Sequence, residues 1–309
     1  MLKYLIVLLD DTSPSFCHYA NNKTERKLIA LDFLKQGIIW AMKENLMIQF
    51  VYPNYELPKE YLELIDSVDH IDIEEDNADA DVSVFEGVES FPKLRNKQYP
   101  RVVLRLSRNE IFDNVNSLQE ILTFQQALII VVTDIPSFSR DDYDNYSVVL
   151  KKLSDTVIDK IKDNMPVSLN LLTDRLLLSS MNNCNAGDEN ITLGPDGNFY
   201  ICPAYYLEGE DDVGNPVSGI RITNRHLYNL ERAPICRKCD AYQCKRCVWL
   251  NQKTTLEVNT PSHEQCVVAH LERNASRHLL ETIKGLGLLK TDHSIPEIGY
   301  LDPFDKVKR

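Results

Sequence analysis

The 309-residue chain is poor in cysteine until late: Cys17 stands alone before residue 184, and seven more follow by residue 266. It also lacks a long apolar run at its start. Met1 to Leu9 is largely apolar, but Asp10 and Asp11 end the run before it reaches the length of a signal peptide or membrane helix. The expected location is the cytoplasm, with no membrane partner. Reducing conditions there favour metal ligation over disulfides for clustered cysteines. Positive charge is scarce too: 34 Lys and Arg against 46 Asp and Glu leave a net charge of -12. That balance argues against a nucleic-acid partner, which needs a cationic surface. No internal repeat or long low-complexity tract is present.

Catalytic signals are equally thin. The histidines His18, His70, His226, His263, His270, His278 and His293 form no obvious constellation, and Cys17 beside His18 has no fixed sequence relation to a productive thiolate pair. No catalytic residue is named.

The first half alternates short β-rich runs with helical stretches, which implies an α/β fold with a mainly parallel sheet, open or curled into a partial (β/α) barrel. Strands are expected at Tyr4 to Leu9, Met47 to Val51, His70 to Ile73, Arg101 to Leu106, Leu128 to Val132 and Val167 to Leu172. A helix is expected from Thr24, as its cap, to Glu44, with Leu28, Leu31, Leu34, Ile38 and Met42 as its apolar stripe. Others are expected near Tyr61, over Ser117 to Gln126 and over Tyr146 to Lys162. From Asp66 to Glu89 the chain is acidic with no Lys or Arg. This stretch reads as a solvated surface segment or a docking face for a basic partner, and it lacks the spacing of a calcium loop.

After Cys184 the texture changes. Ile191 to Cys202 reads as a hairpin around Pro195-Asp196-Gly197, and Ser262 to about Lys284 as a helix carrying Cys266, with Val267, Leu271 and Leu279 in its core. The tail from Thr291 reads as a loop or strap. The expected division is an α/β domain over 1–180, a cysteine-rich domain over 181–285 and a tail over 286–309.

Two spacings organise the cysteines. In the first, twelve residues separate Cys184 from Gly197 and four more separate Gly197 from Cys202, so a turn brings the two thiols toward each other. The second is Cys236-x2-Cys239-x4-Cys244-x2-Cys247, followed after eighteen residues by Cys266. Cys236, Cys239, Cys244 and Cys247 could hold one tetrahedral zinc that staples a small domain. All seven, Cys184 included, are metal-ligand candidates, for zinc or for iron-sulfur clusters. Basic residues Arg221, Arg225, Arg232, Arg237, Lys238, Lys245, Arg246 and Lys253 crowd this region and would stabilise an anionic thiolate cluster or dock an acidic peptide. Trp249 is expected to shield the site.

These spacings resemble the SPASM domain, the C-terminal extension of radical SAM enzymes that modify peptides and proteins. The first element fits without adjustment, while the second is one residue shorter in each of its two later gaps than the usual C-x2-C-x5-C-x3-C. The resemblance implies one auxiliary 4Fe-4S cluster on Cys236, Cys239, Cys244 and Cys266, and a second site on Cys184, Cys202 and Cys247. That second site has three cysteines, which leaves an iron open for a ligand, or has His226 as a further ligand, or is empty or holds zinc.

A radical SAM enzyme also carries C-x3-C-x2-C after its first strand, where three thiolates leave one iron for S-adenosylmethionine. Here that loop holds Cys17 alone, so S-adenosylmethionine is not expected as a cofactor. Phe16-Cys17-His18-Tyr19 is either a remnant of the motif, making residues 1–180 a degenerate radical SAM partial barrel, or an ordinary loop. Over its full length, with Leu8 to Tyr19, Cys184 to Pro203 and Cys236 to Cys247, the chain resembles the CXXX repeat peptide maturase family. The resemblance implies an accessory maturase that binds a cysteine-repeat precursor peptide and auxiliary clusters. It would act beside a separate radical SAM enzyme by electron relay or substrate presentation. The alternative is a zinc-stapled peptide- or protein-binding module without redox chemistry.

Overall fold

The structure, a computed structural model, describes residues 1–288; the tail from Thr291 lies outside the described residues. The chain begins with β1 (Tyr4–Leu8), α1 (Leu31–Lys43), β2 (Met47–Val51), α2 (Lys59–Ile65), β3 (His70–Glu75) and β4 (Val82–Glu86). It continues through α3 (Phe91–Asn96), β5 (Val102–Leu106), α4 (Arg108–Asp113), α5 (Val115–Phe124), β6 (Ala127–Val132), α6 (Arg140–Lys162), β7 (Ser168–Leu169) and α7 (Asp174–Leu177). The last third holds β8 (Asn190–Leu193), β9 (Phe199–Tyr200), α8 (Pro203–Glu208), β10 (Gly214–Asn215), β11 (Gly219–Ile220), α9 (Val248–Thr255) and α10 (His263–Gly285). Among the described residues, no helix is long and apolar enough to cross a membrane.

Two compact units share the chain. One comprises Met1–Val84 with Asn185–Ala233, the other Phe85–Cys184 with the described residues from Pro234 onward. The cysteines therefore divide: Cys17 and Cys202 belong to the first unit, and Cys184, Cys236, Cys239, Cys244, Cys247 and Cys266 to the second.

In the first unit the strands run in the order β4-β3-β2-β1-β8-β9, all parallel except β9. β1 sits between β2, from Tyr4↔Met47 to Leu8↔Val51, and β8, from Tyr4↔Asn190 to Val7↔Leu193. Four of its five residues are buried, as both faces of a parallel strand are covered. Leu5, Val7, Ile48 and Phe50 pack with Leu34, Ile38 and Ala41 of α1, Ile65 of α2 and Ile191, Leu193 and Phe199 of the hairpin.

The helix expected from Thr24 starts only at Leu31, with Ala30 as its N-cap. A long-range pairing sets the boundary: Leu28 bridges Asp10, and Ile29 N–H donates to the Leu9 carbonyl at 2.8 Å, so residues 28–29 stay extended. Met42, placed in the apolar stripe, is exposed, while Gly37 and Ala41 take the buried face. The acidic stretch is more ordered than a solvated segment. It carries β3 and a strand absent from the sequence reading, β4, paired from Ile73↔Val82 to Glu75↔Val84. Its acidic side chains stay exposed or half-buried around that apolar ladder.

The hairpin forms as expected, closed by Gly194 N–H to the Asn198 carbonyl at 2.9 Å. Gly197 has φ of +83°, and a Cβ there would come 2.7 Å from the Phe33 ring, so both backbone and space demand glycine. The Asp196 carboxylate accepts from Tyr200 O–H at 2.7 Å and pins the turn. Beyond the hairpin, Val213 N–H donates to the Phe199 carbonyl at 2.7 Å, and the β10–β11 ribbon follows.

In the second unit β5, β6 and β7 are parallel. β7 is two residues long rather than six, because the Asn170 amide takes over its ladder: it donates to the Ile130 carbonyl and accepts from Ile130 N–H, each at 2.9 Å. α6 begins at Arg140, six residues before the expected start, since Ser139 and Asp142 form a reciprocal capping box. α10 packs against α6 and follows its Ser262 cap as expected. Its buried face differs from the expected one: Val267 and Leu279 are buried and Leu271 is half-buried, while Glu272, Arg273 and Ser276 lie buried among them.

Candidate metal centre

The loop from Cys236 to Cys247 and the first two turns of α10 enclose a cavity of about 320 Å³ in the second unit. Cys236, Cys239, Cys244 and Cys266 line it, together with His270 and Arg246. Met181, Ile235 and Pro261 form apolar wall. Cys184 and Cys247 do not line it. Among the described residues, no group of three or more His, Cys, Asp or Glu side chains is arranged to hold a metal ion. The four cysteines share one cavity.

The local backbone explains how four residues of such different sequence position meet. A 3-10 turn over Cys236–Lys238 ends in Cys239 N–H donating to the Cys236 carbonyl at 3.0 Å, folding the first C-x-x-C pair back on itself. Ala241 N–H points at Cys239 Sγ (3.4 Å) and Arg246 N–H at Cys244 Sγ (3.5 Å). Backbone N–H groups aimed at sulfur suit anionic thiolates. Arg246 holds a left-handed φ of +41°, and its buried guanidinium donates to Asn183 Oδ1 at 2.7 Å and Asn259 Oδ1 at 2.8 Å. A buried cation held by neutral amides offers charge compensation to thiolates on the same wall.

Burial pushes the thiols up, Cys236 to about 11 and Cys239 and Cys244 to about 12. Desolvation is the leading cause in each, and a bound metal would offset the cost of such a buried thiolate.

Two polar networks hold the loop. Asp240, next to Cys239, is buried between Arg273 (Nη1 to Oδ1, 3.0 Å) and Arg175 (Nη2 to Oδ2, 3.4 Å), with Arg277 Nη2 3.6 Å away. On the other side Gln243 Nε2 donates to the Ala269 carbonyl at 2.7 Å and to Glu272 Oε2 at 3.3 Å, while Tyr146 O–H donates to Glu272 Oε1 at 2.8 Å. Burial raises the Glu272 carboxyl from 4.5 to about 7, and its two hydrogen bonds only partly oppose that. Between about 4.5 and about 7 the folded protein holds a proton that the unfolded chain has released. Stability from this group is therefore full below about 4.5 and declines by about 3 kcal/mol as pH rises through 7. Glu272→Gln should flatten that part of a urea-midpoint profile against pH. A profile unchanged by the substitution would place the titration elsewhere.

The other candidates sit apart from the cavity or beside it. Cys184 is half-buried, and its N–H donates to the Lys245 carbonyl at 2.6 Å, two residues before Cys247. Cys247 caps α9, its Sγ accepting from Leu250 N–H at 3.4 Å. Cys202, in the first unit, is the N-cap of α8 at the end of the hairpin. His226 is exposed in a 3-10 turn of that unit. Trp249 does not shield the cavity; it is half-buried on α9, with Lys253 Nζ 5.4 Å from its ring.

After β1, the loop with Cys17 is organised by carboxylates. Asp10 Oδ1 accepts from Thr12 N–H at 2.8 Å and Oδ2 from Tyr55 O–H at 3.0 Å; Asp11 accepts from Tyr206 O–H and pairs with Lys23 Nζ at 3.1 Å. Lys23 also lies 4.2 Å over the Tyr206 ring.

The sequence reading did not single out His270, Asp240 or Glu272. Only His270 had a local signal: it follows Cys266 by four residues on a helix, so both project from one face.

No family model matches the sequence, and no curated protein matches it. Solved structures do match. Histidine-tagged anSMEcpe with bound AdoMet superposes with a TM-score of 0.61 at 12% identity, over 92% of this chain and 96% of that one. Native anSMEcpe with bound AdoMet and Cp18Cys peptide gives 0.56 at 14%, over 92% and 99%. SuiB of Streptococcus suis bound to S-adenosylmethionine gives 0.44 at 11%, over 86% and 77%. At such identities the likeness to anSMEcpe is one of fold: a mixed α/β chain built around mostly parallel strands.

Proposed function

We propose that this chain is a peptide maturase of the accessory kind, which binds a cysteine-repeat precursor peptide and holds an iron-sulfur cluster on Cys236, Cys239, Cys244 and Cys266. The carrying observation is the single cavity lined by those four thiols. A single tetrahedral ion draws its sulfurs to about 2.3 Å from one point, whereas a cubane takes one thiolate at each of four corners. The four cysteines lining the cavity supply the four thiolates that a cubane takes. When bound, such a cluster supplies one-electron transfer. The protein's part is to bury the thiolates, aim N–H groups at them and set Arg246 alongside.

In this reading residues 181–285 form a SPASM-like region and residues 1–180 a degenerate radical SAM barrel. The fold likeness to anSMEcpe, solved with a peptide bound, supports peptide recognition. With Cys17 alone after β1, cleavage of S-adenosylmethionine falls to a separate radical SAM partner, served by electron relay or substrate presentation.

Anaerobic purification with iron, sulfide and zinc analysis, followed by Mössbauer and paramagnetic resonance spectroscopy, tests the reading. Matched iron and sulfide are expected, with saturable binding of a synthetic cysteine-repeat peptide. Stoichiometric zinc without iron would replace it by a zinc-stapled binding module.

A further inference from the structure

Five donor side chains face the cavity, one more than a cubane takes. The fifth, His270, is buried on α10 one turn beyond Cys266, and its Nε2 lies 3.6 Å from Cys239 Sγ. The same sulfur is approached by Ala241 N–H at 3.4 Å.

We propose that His270 is a positioning residue that donates an Nε2–H hydrogen bond to the Cys239 thiolate and so raises the reduction potential of the cluster held there; this inference rests on the cluster reading above. A neutral imidazole carries one N–H donor, and with four cysteines completing the thiolate set its role is to hydrogen-bond. Cys239 Sγ then accepts from the imidazole and from the Ala241 backbone. Hydrogen bonds to a ligand sulfur withdraw electron density from it, which favours the state with the added electron. The helix fixes the imidazole: Cys266 and His270 project from one face, and the next residues on that side, Arg273 and Arg277, grip Asp240 beside Cys239. One helix face therefore holds both the sulfur and the loop that carries it.

The test is a redox titration of anaerobically purified protein, followed by absorbance, on wild type, His270→Leu and His270→Gln. His270→Leu should keep its iron and sulfide and show a lowered midpoint potential, several-fold less reduced at a fixed potential. His270→Gln places an amide N–H near the position of Nε2 and should recover most of the shift. Isotopically labelled histidine in the wild-type protein gives a readout independent of any variant. Weak nitrogen hyperfine coupling, as through a hydrogen bond, is expected, and the strong coupling of a direct iron-nitrogen bond overturns the proposal. Equal midpoint potentials in wild type and His270→Leu also overturn it, while leaving the cluster itself in place. Zinc without iron in the wild-type protein removes the cluster reading and this inference together.

Discussion

Asp240→Asn should cost about 3–5 kcal/mol of stability, measured as a lowered urea midpoint near neutral pH. Asp240 is 3% exposed and faces Arg175, itself 1% exposed, Arg273 at 2%, and Arg277 at the rim. Asparagine keeps the shape but removes the negative charge, leaving buried guanidinium groups without their carboxylate. Breaking a buried pair costs more than the pair contributes, because the surviving charge stays desolvated. Arg175 keeps one anchor, its Nε donating to the Asp240 backbone carbonyl at 2.9 Å, so the loss is of charge pairing rather than of every contact. Arg277→Ala, at the half-exposed edge, should cost under about 1 kcal/mol. Since Cys239 precedes Asp240, the same substitution should also weaken metal loading. An Asp240→Asn protein within about 1 kcal/mol of wild type would show that water, and not the carboxylate, compensates these arginines.

That network marks the boundary of what the sequence discloses. Asp240 reads as one more polar residue in a cysteine loop, and its partners lie at Arg175 and Arg273, far away along the chain and on different helices. Ligand spacing is different, because the chain between two ligands of one site must be short and turn-forming. The loop cysteines stood out for that reason, whereas Cys266, eighteen residues beyond Cys247, was grouped with them by the family resemblance and not by spacing. β2 was legible to the residue because Met47–Val51 is a short, mostly apolar run whose Ile48, Phe50 and Val51 are buried in a parallel sheet. The start of α1 was not, since Leu28 and Ile29 are held extended by the end of β1. β4 was hidden by surrounding acidic residues, although Val82, Val84 and Phe85 are buried. The hairpin could be read from its turn; that its first strand lies parallel to β1 could not, because nothing local to Asn190–Leu193 names a partner. Spacing also placed Cys247 in the same loop as the cavity cysteines but could not tell which way its sulfur turns.

Replacing each cavity cysteine separates the two quartets that the sequence allows. Alanine at Cys236, Cys239, Cys244 or Cys266 should each abolish stable cluster loading, read as iron and sulfide per chain after anaerobic reconstitution. Cys247→Ala should retain it, with a small stability cost because Cys247 Sγ accepts Leu250 N–H at the start of α9. The contrast follows from geometry: Cys266 reaches the cavity from α10, and Cys247, though only three residues beyond Cys244, does not line it. A zinc staple built on the loop alone would require the reverse, with Cys247 essential and Cys266 dispensable. Loss of the metal should also appear in stability, since binding to a site absent from the unfolded chain adds directly to folding free energy. The four alanine variants should therefore converge on the urea midpoint of chelated wild type, while Cys247→Ala still responds to chelator. Retention of iron in Cys266→Ala with its loss in Cys247→Ala would assign the metal to the loop and leave α10 as a wall.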